Sequence, residues 1–521
     1  MYKKLKWIRV ILALLFFLLI TLNFVWFANS KASLLSPVLH LQFVPALLGL
    51  FTGTAVFFAF LLVITIFFGR VYCSLLCPLG VYQDIVSRIA DLFKSKKQRR
   101  EKYRKPQNFL RYFFALVAFL PLAAGVTLPL ALTDPYSNWG RISSEIISLG
   151  ENLIHNLFAG IFPESVFYRG YAPFIIEIFI FSAFILILVT IMSAFRRRLY
   201  CNTVCPAGTL LGAISRFSLF RPEMGSECNM CAACSTVCKS NCIDLKNRKI
   251  DVSRCVSCLN CMTMCKRGSV TYRFAYRRKE KKSGMESAGR VPSGMDNFSD
   301  DRRRALLTMG LAGTALVARA AEFRPFKSEK EKEVEKKHSI APPGAQSIQH
   351  LKDNCTACHA CISVCPNRII KPAVGEYGLD GLFLPHLDYR NHFCGYDCNA
   401  CTQICPNHAL IPMSPEEKKL CQIGRAKFSL RNCIVFTDKT DCGACDEHCP
   451  TKAITMIPYK GTNLYIPKLD RDICIGCGAC EYICPARPVK AMIVEANQVH
   501  LTAEAPLKEE QEKVKVDDFG F

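Results

Sequence analysis

Charge is scarce in this sequence, and acidic charge scarcest. Of 521 residues 21% are charged, with 43 Asp+Glu against 66 Lys+Arg, and only three are tryptophan. A disordered basic chain is excluded, because such chains are poor in apolar residues and half of this one is hydrophobic. The shortage of acid is also local. Residues 322–521 set 25 bases against 26 acids, so the whole net charge of +23 arises in residues 1–321. What is abundant instead is cysteine, at 30 residues. The chain is too long, and its cysteines too tightly grouped, for a small disulfide scaffold.

Missing charge leaves four long apolar runs, Ile8–Ala28, Phe43–Gly69, Tyr112–Leu132 and Ala172–Phe195, in which Glu177 is the one well-enclosed acid. Each approaches or exceeds the ~20 residues a bilayer-crossing helix needs. The basic residues flank these runs. Lys3, Lys4, Lys6 and Arg9 precede the first, ten bases follow the second between Arg70 and Lys105, and Arg196-Arg197-Arg198 close the fourth. The other two loops carry Lys31 alone, and Arg141 and Arg169 against four acids. Basic loops remain cytoplasmic, so the N-terminus and the segment after run four are expected there, with Trp26 and Trp139 in an outer interfacial belt. The charge is a topological label, and no nucleic-acid partner is expected.

The membrane part repeats itself. Arg70-Val-Tyr-Cys-Ser-Leu-Leu-Cys-Pro-Leu-Gly80 recurs 128 residues later as Arg198-Leu-Tyr-Cys-Asn-Thr-Val-Cys-Pro-Ala-Gly208, and Ser87-Arg88 recurs as Ser215-Arg216. Matching in register marks two copies of a helix pair. Cys73, Cys77, Cys201 and Cys205 are thus expected to approach one another across a pseudo-twofold axis, as redox candidates. A soft-metal or cluster site, a redox dithiol and structural thiols all stay open.

Six further groups hold 24 cysteines. Cys228, Cys231, Cys234 and Cys238, then Cys255, Cys258, Cys261 and Cys265, have the spacing of a two-cluster bacterial ferredoxin, in which the fourth cysteine ligates the partner cubane. Four more groups follow: Cys355, Cys358, Cys361 and Cys365; Cys394, Cys398, Cys401 and Cys405; Cys433, Cys442, Cys445 and Cys449; and Cys474, Cys477, Cys480 and Cys484. These predict six [4Fe–4S] clusters with the 24 thiolates as iron ligands. Zinc fits poorly, because its sites pair two short knuckles. Cys421 is an alternative to Cys433, and Cys242 reads as packing, with an exchange for Cys238 left open. Lys239 and Lys266 stand where proline is usual, and a lysine beside an anionic cluster favours reduction. Cys355-Thr-Ala-Cys358-His359 also matches a haem attachment pattern, but haem would orphan Cys361 and Cys365.

Between the two sets, Arg302-Arg303-Arg304 precedes fourteen uncharged residues, Ala305–Ala318, and then Arg319-Ala320. That is short for a span and has the form of a twin-arginine export signal with a small-residue cleavage site. A buried or amphipathic cytoplasmic helix is the alternative. The expected division is a four-helix transmembrane domain (1–220), a cytoplasmic two-cluster domain (221–273), a basic linker (274–301), the signal-like segment (302–321), a charged linker (322–347), a four-cluster domain (348–505) and a tail (506–521). The fold class is therefore membrane α-helical, built from two repeated helix pairs, plus α+β bacterial-ferredoxin-like domains.

On these motifs the first part, to about Arg273, resembles the NapH membrane ferredoxin-type family, whose relatives include nitrous-oxide reductase regulators and cytochrome oxidase assembly proteins. The second, from about Asp301, resembles the NapG family. The chain looks like a fusion of the two. The resemblance implies a multi-pass protein of the bacterial inner membrane that oxidises quinol and passes electrons to a periplasmic reductase or multihaem cytochrome. It also implies nested ligands: Cys484 for motif one, Cys365 for motif four, Cys449 for motif two and Cys405 for motif three. His155 and Glu177 are candidate quinol contacts, although a surface histidine and a satisfied carboxylate are the simpler readings. The competing function is an assembly, maturation or regulatory electron donor.

Overall fold

A computed structural model describes residues 2–25, 36–51, 55–95, 103–162, 167, 175–276 and 338–505. Trp26, the basic linker beyond Tyr276, the signal-like segment 302–321, the start of the charged linker and the tail lie outside the described residues.

All four apolar runs form helix, but unequally. The first gives α1 (Tyr2–Val25), which contains no proline, glycine or acid. The second breaks. Phe43–Leu48 is one short helix, which tightens into a 3-10 turn over Gly49–Phe51, and α2 (Ala55–Phe68) follows. After it come α3 (Pro78–Phe93), α4 (Asn108–Ala123), α5 (Pro135–Ile142), α6 (Ile176–Arg196) and α7 (Pro206–Ile214). The third run stops at Ala123, where Gly125 takes a left-handed φ of 82°. Among the described residues only α1 and α6 have the length and apolarity to cross a bilayer; α2 and α4 are shorter. Of the four expected spans, two therefore reach spanning length among the described residues.

Trp139 also departs from expectation. It is buried in α5, its ring packs against Phe17 and Tyr82, and its Nε1 donates to Thr21 Oγ1 (3.1 Å). It joins α1, α3 and α5 rather than facing an interface.

The cluster-motif regions use small antiparallel strand pairs. Phe220–Met224 pairs with Val270–Phe274, enclosing the first two motifs, and Cys421–Phe428 pairs with Met492–Thr502, enclosing motifs three and four. Ile370–Pro372 with Pro385–Leu387, and Ile454–Pro458 with Tyr465–Leu469, complete the second region. The third cysteine of each motif sits in a helix of four or five residues, such as Asn260–Met264 or Ala479–Ile483. The turn just before is left-handed at Ala232, Leu259, His359 and Gly478. Three of these four carry a Cβ, and left-handed backbone costs such residues roughly 1–2 kcal/mol.

Candidate iron–sulfur centres

Three cavities are each lined by four cysteines of two motifs. Cys238, Cys255, Cys258 and Cys261 line one. Cys433, Cys442, Cys445 and Cys484 line another. Cys449, Cys474, Cys477 and Cys480 line the third. Elsewhere, Cys405 joins Cys355, Cys358 and Cys361, and Cys365 joins Cys394, Cys398 and Cys401. The exchange in the second region is therefore between neighbouring motifs, one with two and three with four. The nested pairing implied by resemblance is overturned. Its physical reason is the strand pair 421–428 and 492–502, which clamps motifs three and four into one body and carries Cys484 to Cys433. Cys234 lies beside Cys228 and Cys231.

The donor sets suit cubanes. Burial pushes Cys358, Cys445 and Cys477 up to about 12, so these thiols become thiolates when iron replaces the proton. Among the described residues no three His, Cys, Asp or Glu side chains close on one metal ion, the cysteines of the cluster motifs included. Cys242 also lines the first of these cavities, its sulfur 3.5 Å from that of Cys238. That contact draws Cys238 down to about 6 and pushes Cys242 up. Cys421 lies outside the cavity that Cys433 lines and faces His500 Nδ1 instead. His359 of the haem-like pattern is buried, and its Nδ1 lies 3.4 Å from both Ser144 Oγ and Glu145 Oε1.

Cys73, Cys77, Cys201 and Cys205 do come together; all four are buried and lie within electrostatic range of one another. The two repeats exchange arginines there. Arg70 Nη2 donates to the Cys201 carbonyl (3.1 Å), and Arg198 Nη1 donates to that of Cys73. Cys77 and Cys205 are the N-caps of α3 and α7, with Pro78 and Pro206 in the first turn. Gly80 and Gly208 occupy equivalent places. A Cβ on either would collide with the carbonyl of Cys73 or Cys201 and crowd the arginine of the other repeat. These glycines of the repeated motif are thus steric requirements.

Buried polar links run from this quartet in both directions. Arg70 Nη1 donates to Ser253 O (3.0 Å), two residues before Cys255, and Arg111 grips the same carbonyl (3.1 Å). Asp84 on α3 pairs with Arg198 (2.6 Å) and with Lys239, the residue after Cys238. Lys239 therefore fastens the two-cluster region to α3, a role its sequence position did not disclose. Burial alone would raise the Asp84 carboxyl, but the two cations hold it well below the usual carboxylate range. In the other direction, Tyr200 accepts from Asn138, Asn138 accepts from Arg141 (2.8 Å), and Arg141 donates to Ala357 O (3.3 Å) within motif one. Thr127 Oγ1 donates near there to Lys352 O (2.9 Å) and Cys355 O (3.0 Å). Gly140 allows that approach, since a Cβ would strike the Cys358 carbonyl and the Phe24 ring. Arg9, Arg70, Arg141 and Arg198, bases first read as membrane-side labels, are all buried and also act as internal ties, as does the buried Arg111. His155 Nε2 lies 3.2 Å from Phe167 O in an exposed contact, and Glu177 is part-buried in the first turn of α6.

Comparison with known proteins agrees with this chemistry. A domain family described as "4Fe-4S binding domain" matches residues 50–100 and 178–224, another of the same description matches 348–371, and a "4Fe-4S dicluster domain" matches 440–487. The chain is a ferredoxin-type iron–sulfur protein of electron transfer. It is 29% identical over 142 residues to the ferredoxin-type protein NapF of Escherichia coli, which covers 27% of the chain and 76% of NapF. It is 28% identical over 177 residues to the methylamine utilization ferredoxin-type protein MauN of Paracoccus denitrificans, 33% of the chain and 48% of MauN. An uncharacterized protein of Methanocaldococcus jannaschii is 26% identical over 209 residues, 39% of the chain and 64% of that protein. No solved structure matches.

Proposed function

We propose that this chain is a multi-pass inner-membrane quinol dehydrogenase component of the NapH and NapG type, fused in one polypeptide, with the two-cluster domain cytoplasmic and the four-cluster domain periplasmic. Quinol gives up two electrons and two protons at the helical part, and the electrons leave to a periplasmic reductase or multihaem cytochrome. The observation that carries the reading is the placing of the cluster regions along α1. Tyr272 N meets the Tyr2 hydroxyl at one end (3.4 Å), and Phe24 lies against Gly140 and the Cys358 carbonyl at the other. Twenty-four residues of α-helix at 1.5 Å each span about 36 Å, comparable with a bilayer core of ~30 Å.

When bound, each cubane takes up and releases one electron. The cysteines hold six of them in three exchanged pairs: motifs at 228–238 and 255–265, at 355–365 and 394–405, and at 433–449 and 474–484. Cys394 N donates to Cys477 O (2.9 Å), so the last two pairs touch. Lys239 and Arg70 bring positive charge to the Cys258 and Cys255 side of the first pair, favouring its reduced state.

Anaerobic membranes treated with a quinol analogue test this. Bleaching of the cluster absorbance is expected. Clusters that stay oxidised with quinol but bleach with a reduced cytoplasmic ferredoxin would replace this reading by that of a maturation or regulatory electron donor. Protease added to spheroplasts is expected to cut within 348–505, and full protection would reverse the sidedness.

A further inference from the structure

We infer that Cys73, Cys77, Cys201 and Cys205 together hold one more [4Fe–4S] cluster, two ligands from each repeat, on the pseudo-twofold axis between the two sets of cluster motifs. The "4Fe-4S binding domain" match falls on 50–100 and 178–224, and each of these segments contains only two cysteines. Neither segment can complete a four-thiolate set alone. Folding brings the two half-sets together in a buried site.

The surroundings are those of a buried anion. Arg70 Nη2 lies 3.7 Å from Cys73 Sγ, and Gln83 Nε2 donates to Cys201 Sγ (3.2 Å). Gly208 N donates to Cys205 Sγ (3.2 Å) at the N-terminus of α7, and Cys77 holds the matching place on α3. Two helix N-termini of 16 and nine residues therefore point their partial positive charge at the sulfurs, beside two fully buried guanidiniums. Neutral structural thiols would need none of this. Arg198 is offset by Asp84, whereas Arg70 meets an amide, two carbonyls and the Cys73 sulfur. Burying a cation without a counter-charge is costly, and an anionic cluster with four thiolates supplies that charge for Arg70.

Position supports the assignment independently. Through Arg70 and Ser253 the quartet adjoins the Cys255 motif, and through Tyr200, Asn138 and Arg141 it adjoins the Cys355 motif. One electron lost by the cluster on Cys255, Cys258, Cys261 and Cys238 reduces the quartet cluster by one. It then passes to the cluster on Cys355, Cys358, Cys361 and Cys405, restoring the quartet cluster. The reverse direction balances in the same way.

Iron and acid-labile sulfide in the anaerobically purified full-length protein test this without any quinol, so the outcome is separate from that of the dehydrogenase reading. With every motif filled each should approach about 28 per chain instead of about 24, four per cubane. C73S/C201S should lower both by about four, as C361S does at a cluster motif, and the combined variant by about eight. An unchanged content in C73S/C201S, or one copper or zinc ion per chain at the quartet, overturns the assignment. Should that variant not accumulate, Q83L keeps all four thiols and removes the hydrogen bond to Cys201 Sγ. A redox titration of Q83L should show one component shifted to lower potential. No shifted component overturns the assignment equally.

Discussion

Two cysteines are spare, and position at the level of single atoms separates spare from ligand. Cys433 lines a cavity with Cys442, Cys445 and Cys484, whereas Cys421 faces His500. C433S should therefore lose about four iron atoms per chain and C421S none, by metal analysis. Sequence spacing left both open, because a gap of eight residues before Cys442 matches no regular motif. Asp84 is a second residue-scale case. Its carboxylate is nearly buried between Arg198 and Lys239. D84A leaves those cations unpaired and should cost about 3–5 kcal/mol, read from thermal unfolding in detergent. Because its pKa is depressed in the fold, its contribution is full above the ordinary value of about 4 and is lost as pH falls below it. D84N should flatten that acid limb.

At the level of the element, the caps matter most. Asp134 caps α5, accepting from Ser137 N (2.7 Å) and Ser137 Oγ (2.8 Å), yet burial pushes it up to about 6. For an acid raised in the fold the sign reverses. Its contribution is present below pH 4 and is lost as pH rises from about 4 to about 6. D134N keeps a competent cap and should remove that slope from a pH series of unfolding midpoints; an unchanged slope would assign it elsewhere. Helices and cluster loops were legible in the residues because hydrophobic runs and Cys-x2-Cys-x2-Cys spacing are local patterns. The stop at Ala123 was less so, since a single glycine inside an apolar run is a weak signal until the backbone is seen. Buried arginines were illegible as such. Arg70 and Arg198 look like boundary charges in sequence, and only the fold shows the carbonyls they meet.

Across the whole molecule, the ligand exchange could be foreseen for Cys238, where two tandem motifs leave little choice, and was misjudged for motifs one to four. Four motifs allow several pairings, and the strand pair 421–428 with 492–502 decides among them. The junction between the helices and motif one rests on Gly140. G140V should displace Cys358 from Phe24 and loosen residues 338–505 from α5. The expected signs are faster proteolysis of that region and slower electron exchange between the two cluster sets, with iron content unchanged. Equal proteolysis of variant and parent would show that the remaining ties, Thr127 and Arg141, suffice.

The exchanged arginines carry a historical consequence. Each repeat places its guanidinium on the backbone of the other, so a chain with one repeat cannot satisfy itself. A single-repeat ancestor would have needed a second copy of itself, in an isologous twofold dimer. Tandem duplication would turn such a dimer contact into an intramolecular one and free the two halves to diverge. Differences such as Leu76 against Val204 and Leu79 against Ala207 would mark where that symmetry has been spent.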